Sequence, residues 1–194
     1  TGTGTIPASA NTVILTGKGE DALQEGTGGG RPWVQQHGFN TANNSAALGS
    51  WTTETPLPGD VYGHQVVVTK NRVHLIGGRT NGQTDLDTVF TAPISTDGTI
   101  GTWAAGTSLP TGFSDSQAVV TKNRVYLLGG YNSSNKTNPA SVAVSVINSD
   151  GTLGTWSYAP ELPFGRINAH VVATKNRVYL IGGEGVSGPT SVVH

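Results

Sequence analysis

Three near-identical ten-residue segments recur at a fixed interval along this chain. TKNRVHLIGG begins at Thr69, TKNRVYLLGG at Thr121 and TKNRVYLIGG at Thr174, so successive copies lie 52 and 53 residues apart. Trp51, Trp103 and Trp156, which close LGSW, IGTW and LGTW, keep the same interval. So do the Leu-Pro pairs Leu57-Pro58, Leu109-Pro110 and Leu162-Pro163. Markers held in one register identify a tandem repeat, in which each unit is one supersecondary element that buries its apolar faces only against units like itself.

Read from Leu57, one unit contains β-like runs at 62–69, 72–76 and 88–95, and a fourth opening near Trp103. Lys70-Asn71 separates the first two, and Asn tolerates the positive φ of a tight hairpin turn. Val73 and Leu75 alternate with His74 and Ile76, so the second run has two faces. It ends in Gly77-Gly78, and the third run ends in Thr96-Asp97-Gly98. Tyr126 and Tyr179 take the slot of His74, which suits a ring packed between sheets. Pro93 lacks a ladder donor and predicts a bulge or an early strand end. The 28 glycines in 194 residues, about twice the usual share, fit turn-rich β structure. The fold class expected is all-β: a β-propeller of four-stranded antiparallel blades, with 57–183 almost wholly β and the three Lys-Asn hairpins side by side.

Gly77-Gly78 followed by Trp103, and Gly129-Gly130 followed by Trp156, resemble the kelch repeat; Gly182-Gly183 opens a further copy. The resemblance covers 51–194, three units of about 52 residues with the last incomplete. Residues 1–50 read as a degenerate first unit: the run from Asn11 to Gly17 parallels that from Asn71 to Gly77, and the surplus length falls in a Gly-rich loop at 20–31. At the other end Thr190-Ser191-Val192-Val193 enters a third strand. About 3.5 units fall short of the four or more blades of a closed ring. Further blades of the same polypeptide or neighbouring subunits are therefore expected at both ends. The opening TGTGTIPASA has neither an initiator Met nor a signal-peptide layout, as in a processed or partial chain. Propellers that this repeat resembles include binding modules, scaffolds and a few enzymes, so the resemblance implies no particular activity. The related copper-radical oxidases need a cysteine cross-linked to tyrosine, and this chain has no Cys.

Without Cys there is also no disulfide framework, thiolate-held metal or thiol nucleophile. A net charge of −1 supplies no basic field for nucleic acid. The apolar runs, such as Val178-Tyr179-Leu180-Ile181, are far shorter than the roughly 18 residues of a membrane span. The five histidines have no metal-ligand spacing, spacing selects no Ser-His-Asp set, and no cofactor is implied. Thr16-Gly17-Lys18-Gly19 lacks the residues of a phosphate loop. STDGTIGTW and NSDGTLGTW resemble the Asp-box of sialidase propellers with altered spacing, and read as blade turns.

In an antiparallel blade the first-to-second and third-to-fourth turns share one end, and the remaining connections share the other. The first end is nearly uniform: Thr-Lys-Asn-Arg three times, and Thr96-Asp97-Gly98-Thr99 against Ser149-Asp150-Gly151-Thr152. It carries six of the eleven basic residues: Lys70, Arg72, Lys122, Arg124, Lys175 and Arg177. That arc either faces an anionic surface, pairs with Asp97 and Asp150, or is simply solvated. The other end varies among copies in its loops 79–87, 131–140 and 184–189, which suits recognition and also unconstrained drift. Candidate ligand contacts there are Tyr62 and Phe113 as stacking groups, with Trp33 from the first unit. His64, Asp115, Arg166, Asn168 and His170 are the polar candidates.

The function expected is a non-enzymatic recognition or structural module that binds a glycan or a protein surface. The low charge, the Thr, Ser, Asn and Gly content, and the absence of Cys and Met resemble extracellular, cell-surface or virion proteins such as phage tail components. The alternatives are a sugar-active enzyme like the sialic-acid mutarotases built on kelch propellers, and a purely architectural part of a larger particle.

Overall fold

The computed structural model describes residues 51–194 in full and, before them, the backbone of two strands, β1 (Thr12–Thr16) and β2 (Val34–Gly38). With β3 (Thr52–Thr53) these form an antiparallel sheet in the order β1-β2-β3. The next blade is the four-stranded antiparallel sheet β4 (Gln65–Thr69), β5 (Arg72–Ile76), β6 (Val89–Pro93) and β7 (Ala104–Ala105), each strand beside its sequence neighbours. The blade after it repeats this order with β8 (Gln117–Val120), β9 (Arg124–Leu128), β10 (Val142–Val146) and β11 (Ser157–Ala159). In the last blade β12 (His170–Ala173) pairs with β13 (Val178–Ile181), followed by the short hairpin of β14 (Glu184–Gly185) and β15 (Gly188–Pro189). The chain then returns along β13, where Leu180 and His194 exchange both backbone hydrogen bonds at 2.9 and 3.0 Å. No helix occurs among the described residues.

The two faces expected of β5 pack in opposite directions. Val73 and Leu75 join Leu57, Ala92, Ile100 and Trp103 in one core layer. Ile76 faces the following blade, where it joins Val89, Leu109, Phe113, Val125, Leu127 and Trp156 in a second. Trp103 and Trp156 thus do the same work, each closing the layer on the side of the preceding blade. Burying such faces is the main drive for blades to stack, at roughly 25 cal/mol per Å² of apolar area.

Both glycines of each Gly-Gly pair have positive φ, +60° and +100° at Gly77 and Gly78, +61° and +110° at Gly129 and Gly130. A Cβ on Gly129 would lie 2.5 Å from the Arg166 carbonyl oxygen, and one on Gly130 would lie 2.7 Å from that of Ser114. The pair is where the chain squeezes between its own blade and the next, which only glycine permits.

β6 ends at Pro93, as expected, but β10 ends at the equivalent Val146 without a proline, so the limit belongs to the repeat and not to the missing donor. The hairpin turn departs from expectation in one respect: the positive φ falls on Lys70 (+49°) and not on Asn71, Asn123 or Asn176. Its neighbours in the next blade supply the reason. The Lys70 ammonium donates to the Ser149 carbonyl, and Arg72 Nε donates to that of Asp150 at 3.1 Å. The two cations therefore meet backbone carbonyls rather than the carboxylates of Asp97 and Asp150 proposed as their partners. Those carboxylates are used inside their own turns. Asp97 accepts from the Thr99 amide and hydroxyl at 3.0 and 2.8 Å, and Asp150 from those of Thr152 at 3.0 and 2.7 Å. These bonds hold both carboxyls below their ordinary pKa and give the Asp-Gly-Thr sequences their turn role.

Candidate functional site

At the varied end one backbone device recurs in every described blade. The segment entering the blade forms a two-way bridge to the residue after Gly-Gly: Tyr62 with Arg79 (3.0 and 2.8 Å), Ser114 with Tyr131 (3.1 and 2.7 Å), and Ile167 with Glu184 (both 2.9 Å). The next residue in each entering segment is left-handed, at Gly63 (+63°), Asp115 (+54°) and Asn168 (+54°). Gly, Asp and Asn are the residue types that accept this conformation at least cost. Their positions keep the repeat interval, a signal present in the sequence and not used above.

Neighbouring blades are tied through the same segments. The Asp115 amide donates to the Gly63 carbonyl at 2.8 Å, that of Gly78 to Phe113 at 2.8 Å, and that of Gly130 to Arg166 at 2.9 Å. Tyr62 and His64 therefore stand beside Asp115, while Arg166, Asn168 and His170 follow one blade further on. Burial pushes the His64 imidazole below its ordinary pKa, against a backbone hydrogen bond at Val61. Asn168 and His170 are exposed, and Tyr62 and Asp115 are half-buried. Trp33 lies outside the described residues.

Two of the candidates are interior. Phe113 is 3% exposed and belongs to the core layer between blades, so its ring is closed to a stacking ligand. Arg166 is 1% exposed. Its Nη1 donates to the Gly182 and Val192 carbonyls at 2.9 and 3.4 Å, and its guanidinium lies 4.5 Å from the Phe164 ring centre. Arg166 clamps the last blade from inside, and burial lowers its pKa.

The structure adds a cluster that the sequence marked only as variable loop. Arg79 Nε bonds Asp85 at 2.9 Å, the sole ion pair among the described residues, and its guanidinium lies 4.8 Å from the centre of the Tyr131 ring in the next blade. The Ser133 amide also donates to Asp85. Burial works against ionisation of Asp85, but the Ser133 bonds, Arg79 and Ser114 outweigh it and hold the carboxyl low. Arg79 and Tyr131 occupy the same repeat position, directly after Gly-Gly, and that coincidence was the signal available.

No family model matches the chain. Similar curated proteins are a kelch repeat and BTB domain-containing protein 1 of horsepox virus and alpha-scruin of Limulus polyphemus. The first is 30% identical over 118 residues, 61% of this chain and 20% of that protein. The second is 29% identical over 134 residues, 69% of this chain and 15% of that protein. The chain thus spans a fifth or less of the length of these relatives. Among solved structures, that of YjhT superposes with a TM-score of 0.62 at 18% identity, covering 83% of this chain and 48% of the other. Stacked four-stranded antiparallel sheets define the class as a partial β-propeller. Its units are similar to the kelch repeats of these relatives.

Proposed function

We propose that this run of kelch blades is a non-enzymatic recognition module whose varied end binds a protein surface. The observation that carries the reading is the constancy of the backbone there, bridge for bridge, while the side chains it presents are exchanged from blade to blade. A scaffold that holds geometry and varies chemistry suits recognition. Tyr62, His64, Asp115, Asn168 and His170 form the proposed surface, with Arg79, Asp85 and Tyr131 bracing it. The composition supports an extracellular, cell-surface or virion setting. The outward face of the last blade, with Val172, Ile181 and Val193 at 48, 44 and 54% exposure, is read as the seat of a further blade.

The test is cross-linked capture from the native source. It compares a Tyr62→Ala/Asn168→Ala/His170→Ala variant with one substituted at the opposite end, Lys122→Ala/Lys175→Ala. Loss of a specific protein partner with the first and retention with the second supports the reading. Glycan-array binding with the same pattern would replace the protein ligand by a glycan. Sugar turnover lost on substituting His64 would overturn the non-enzymatic assignment.

A further inference from the structure

The loop between β5 and β6 carries the one Asn-Gly pair of this chain, Asn81-Gly82. The amide nitrogen of a residue that follows asparagine can reach the side-chain Cγ and close a five-membered ring. A side chain on that following residue hinders the approach, and glycine has none.

The pair sits at the tip of a small hairpin. The Gln83 amide donates to the Thr80 carbonyl at 2.8 Å, and the Thr80 amide to that of Thr84 at 3.2 Å. Residues 81–84 are exposed. Neither the Asn81 side chain nor the Gly82 amide has a hydrogen-bond partner among the described residues. A Cβ on Gly82 would meet only Thr80 Oγ1, at 3.6 Å. Nucleophile, electrophile and the space around them are therefore all open. An Asn-Gly pair favours a two-residue hairpin loop in which both residues have positive φ. Here Gln83 is left-handed instead, at +58°, and Gly82 is not. A non-glycine residue in that conformation is strained, which lowers the cost of opening the tip.

Other pairs in the chain with the same chemistry are blocked. Asp97-Gly98 and Asp150-Gly151 could close the same ring, but the Gly98 and Gly151 amides donate to the Ser95 and Asn148 carbonyls at 2.9 and 3.0 Å. Their carboxyls are bonded to Thr99 and Thr152 and held ionised, which makes them poor electrophiles. Of the described Asn-Ser pairs, Asn132-Ser133 has its Ser amide bonded to Asp85. In Asn148-Ser149 the Asn148 Nδ2 donates to Thr152 Oγ1 at 2.9 Å.

We propose that Asn81 is a site of spontaneous deamidation, which puts a new carboxylate in a loop of the varied end. The Gly82 nitrogen bonds to Asn81 Cγ, the Cγ–Nδ2 bond breaks, and the Gly82 amide proton leaves with the side-chain nitrogen as ammonia. Water then opens the cyclic imide at one of its two carbonyls. One opening leaves aspartate. The other leaves isoaspartate, whose main chain is one carbon longer at the hairpin tip.

The intact chain is incubated in mildly alkaline buffer, digested with trypsin and read by mass spectrometry, with isoaspartate assigned by electron-transfer fragmentation. Cleavage after Arg79 and Lys122 releases a peptide in which Asn81 is the sole asparagine and which also holds Asp97-Gly98. Conversion at Asn81 should be about tenfold faster than at Asn132 or Asn148 and should quicken as the pH rises. Gly82→Ala should slow it about tenfold, and Asn81→Gln should abolish it, with the melting temperature held because both positions are exposed. In urea Asn132, Asn148 and Asp97 should react faster, while Asn81 stays within about threefold of its folded rate. An Asn81 intact in the folded chain yet converted in urea would overturn the proposal. So would equal folded rates at Asn81 and Asn148, or a Gly82→Ala chain that converts as fast as the unsubstituted one.

Discussion

Residues 69–72 and 121–124 are the same four amino acids in the same place in successive blades, and they live in different surroundings. In the first copy Thr69 is 3% exposed, its hydroxyl bridges His74 and the Gly151 carbonyl, and Lys70 and Arg72 reach across to the next blade. In the second, Thr121 bonds only within its own turn, to Arg124, and Lys122, Asn123 and Arg124 are exposed. The first hairpin is a latch that receives the Asp-Gly turn of the following blade. No such turn meets the second among the described residues. A repeated sequence therefore specifies a capacity for contact, and the neighbour decides whether it is used.

The comparison is sharpest against positions where the copies behave alike. Gly130→Ala should cost about 3 kcal/mol in denaturant unfolding, because φ of +110° and a carbonyl at 2.7 Å both oppose a Cβ. Gly78→Ala should cost nearly as much, since its added Cβ would lie 2.6 Å from Val61. A large inequality between the two would break the idea that this device is shared.

His74 tests the latch through pH. Burial, opposed by its bond to the Gly151 carbonyl and assisted by the nearby Arg72 charge, pushes its pKa down from 6.5 to about 4. Between those values the unfolded chain binds more protons than the folded one. Stability is thus full above pH 6.5 and falls as the pH drops toward 4, by up to about 3 kcal/mol. His64, lowered by burial, adds in the same direction. His74→Tyr should flatten the profile, leaving the His64 share.

Removing the Thr69 hydroxyl takes one buried bond from the Gly151 carbonyl and one from the His74 imidazole, which keep each other at 3.1 Å. Thr69→Val should cost about 1 kcal/mol, whereas Thr121→Val should stay within about 0.5 kcal/mol. Equal effects, measured by calorimetry, would show that the two hairpins do not differ in solution. The smallest contrast is between the cations: Lys70→Ala should cost less than about 1 kcal/mol and Lys122→Ala nothing measurable.

The sequence by itself determined the repeat, the β5 limits and the turn role of the two Asp-Gly-Thr segments. Each depends on local chemistry: alternation of apolar residues, or an Asp side chain within reach of its own backbone. Tertiary structure alone decided that Phe113 and Arg166 are interior, that Lys70 rather than Asn71 takes the positive φ, and that Arg79 and Asp85 meet Tyr131 and Ser133 of another blade. It alone separated His74, bonded to Thr69 and to the Gly151 carbonyl of the next blade, from Tyr126 in the same slot. Burial and partnership belong to the pair of surfaces that meet, and a sequence repeated three times carries the same instruction into three different encounters.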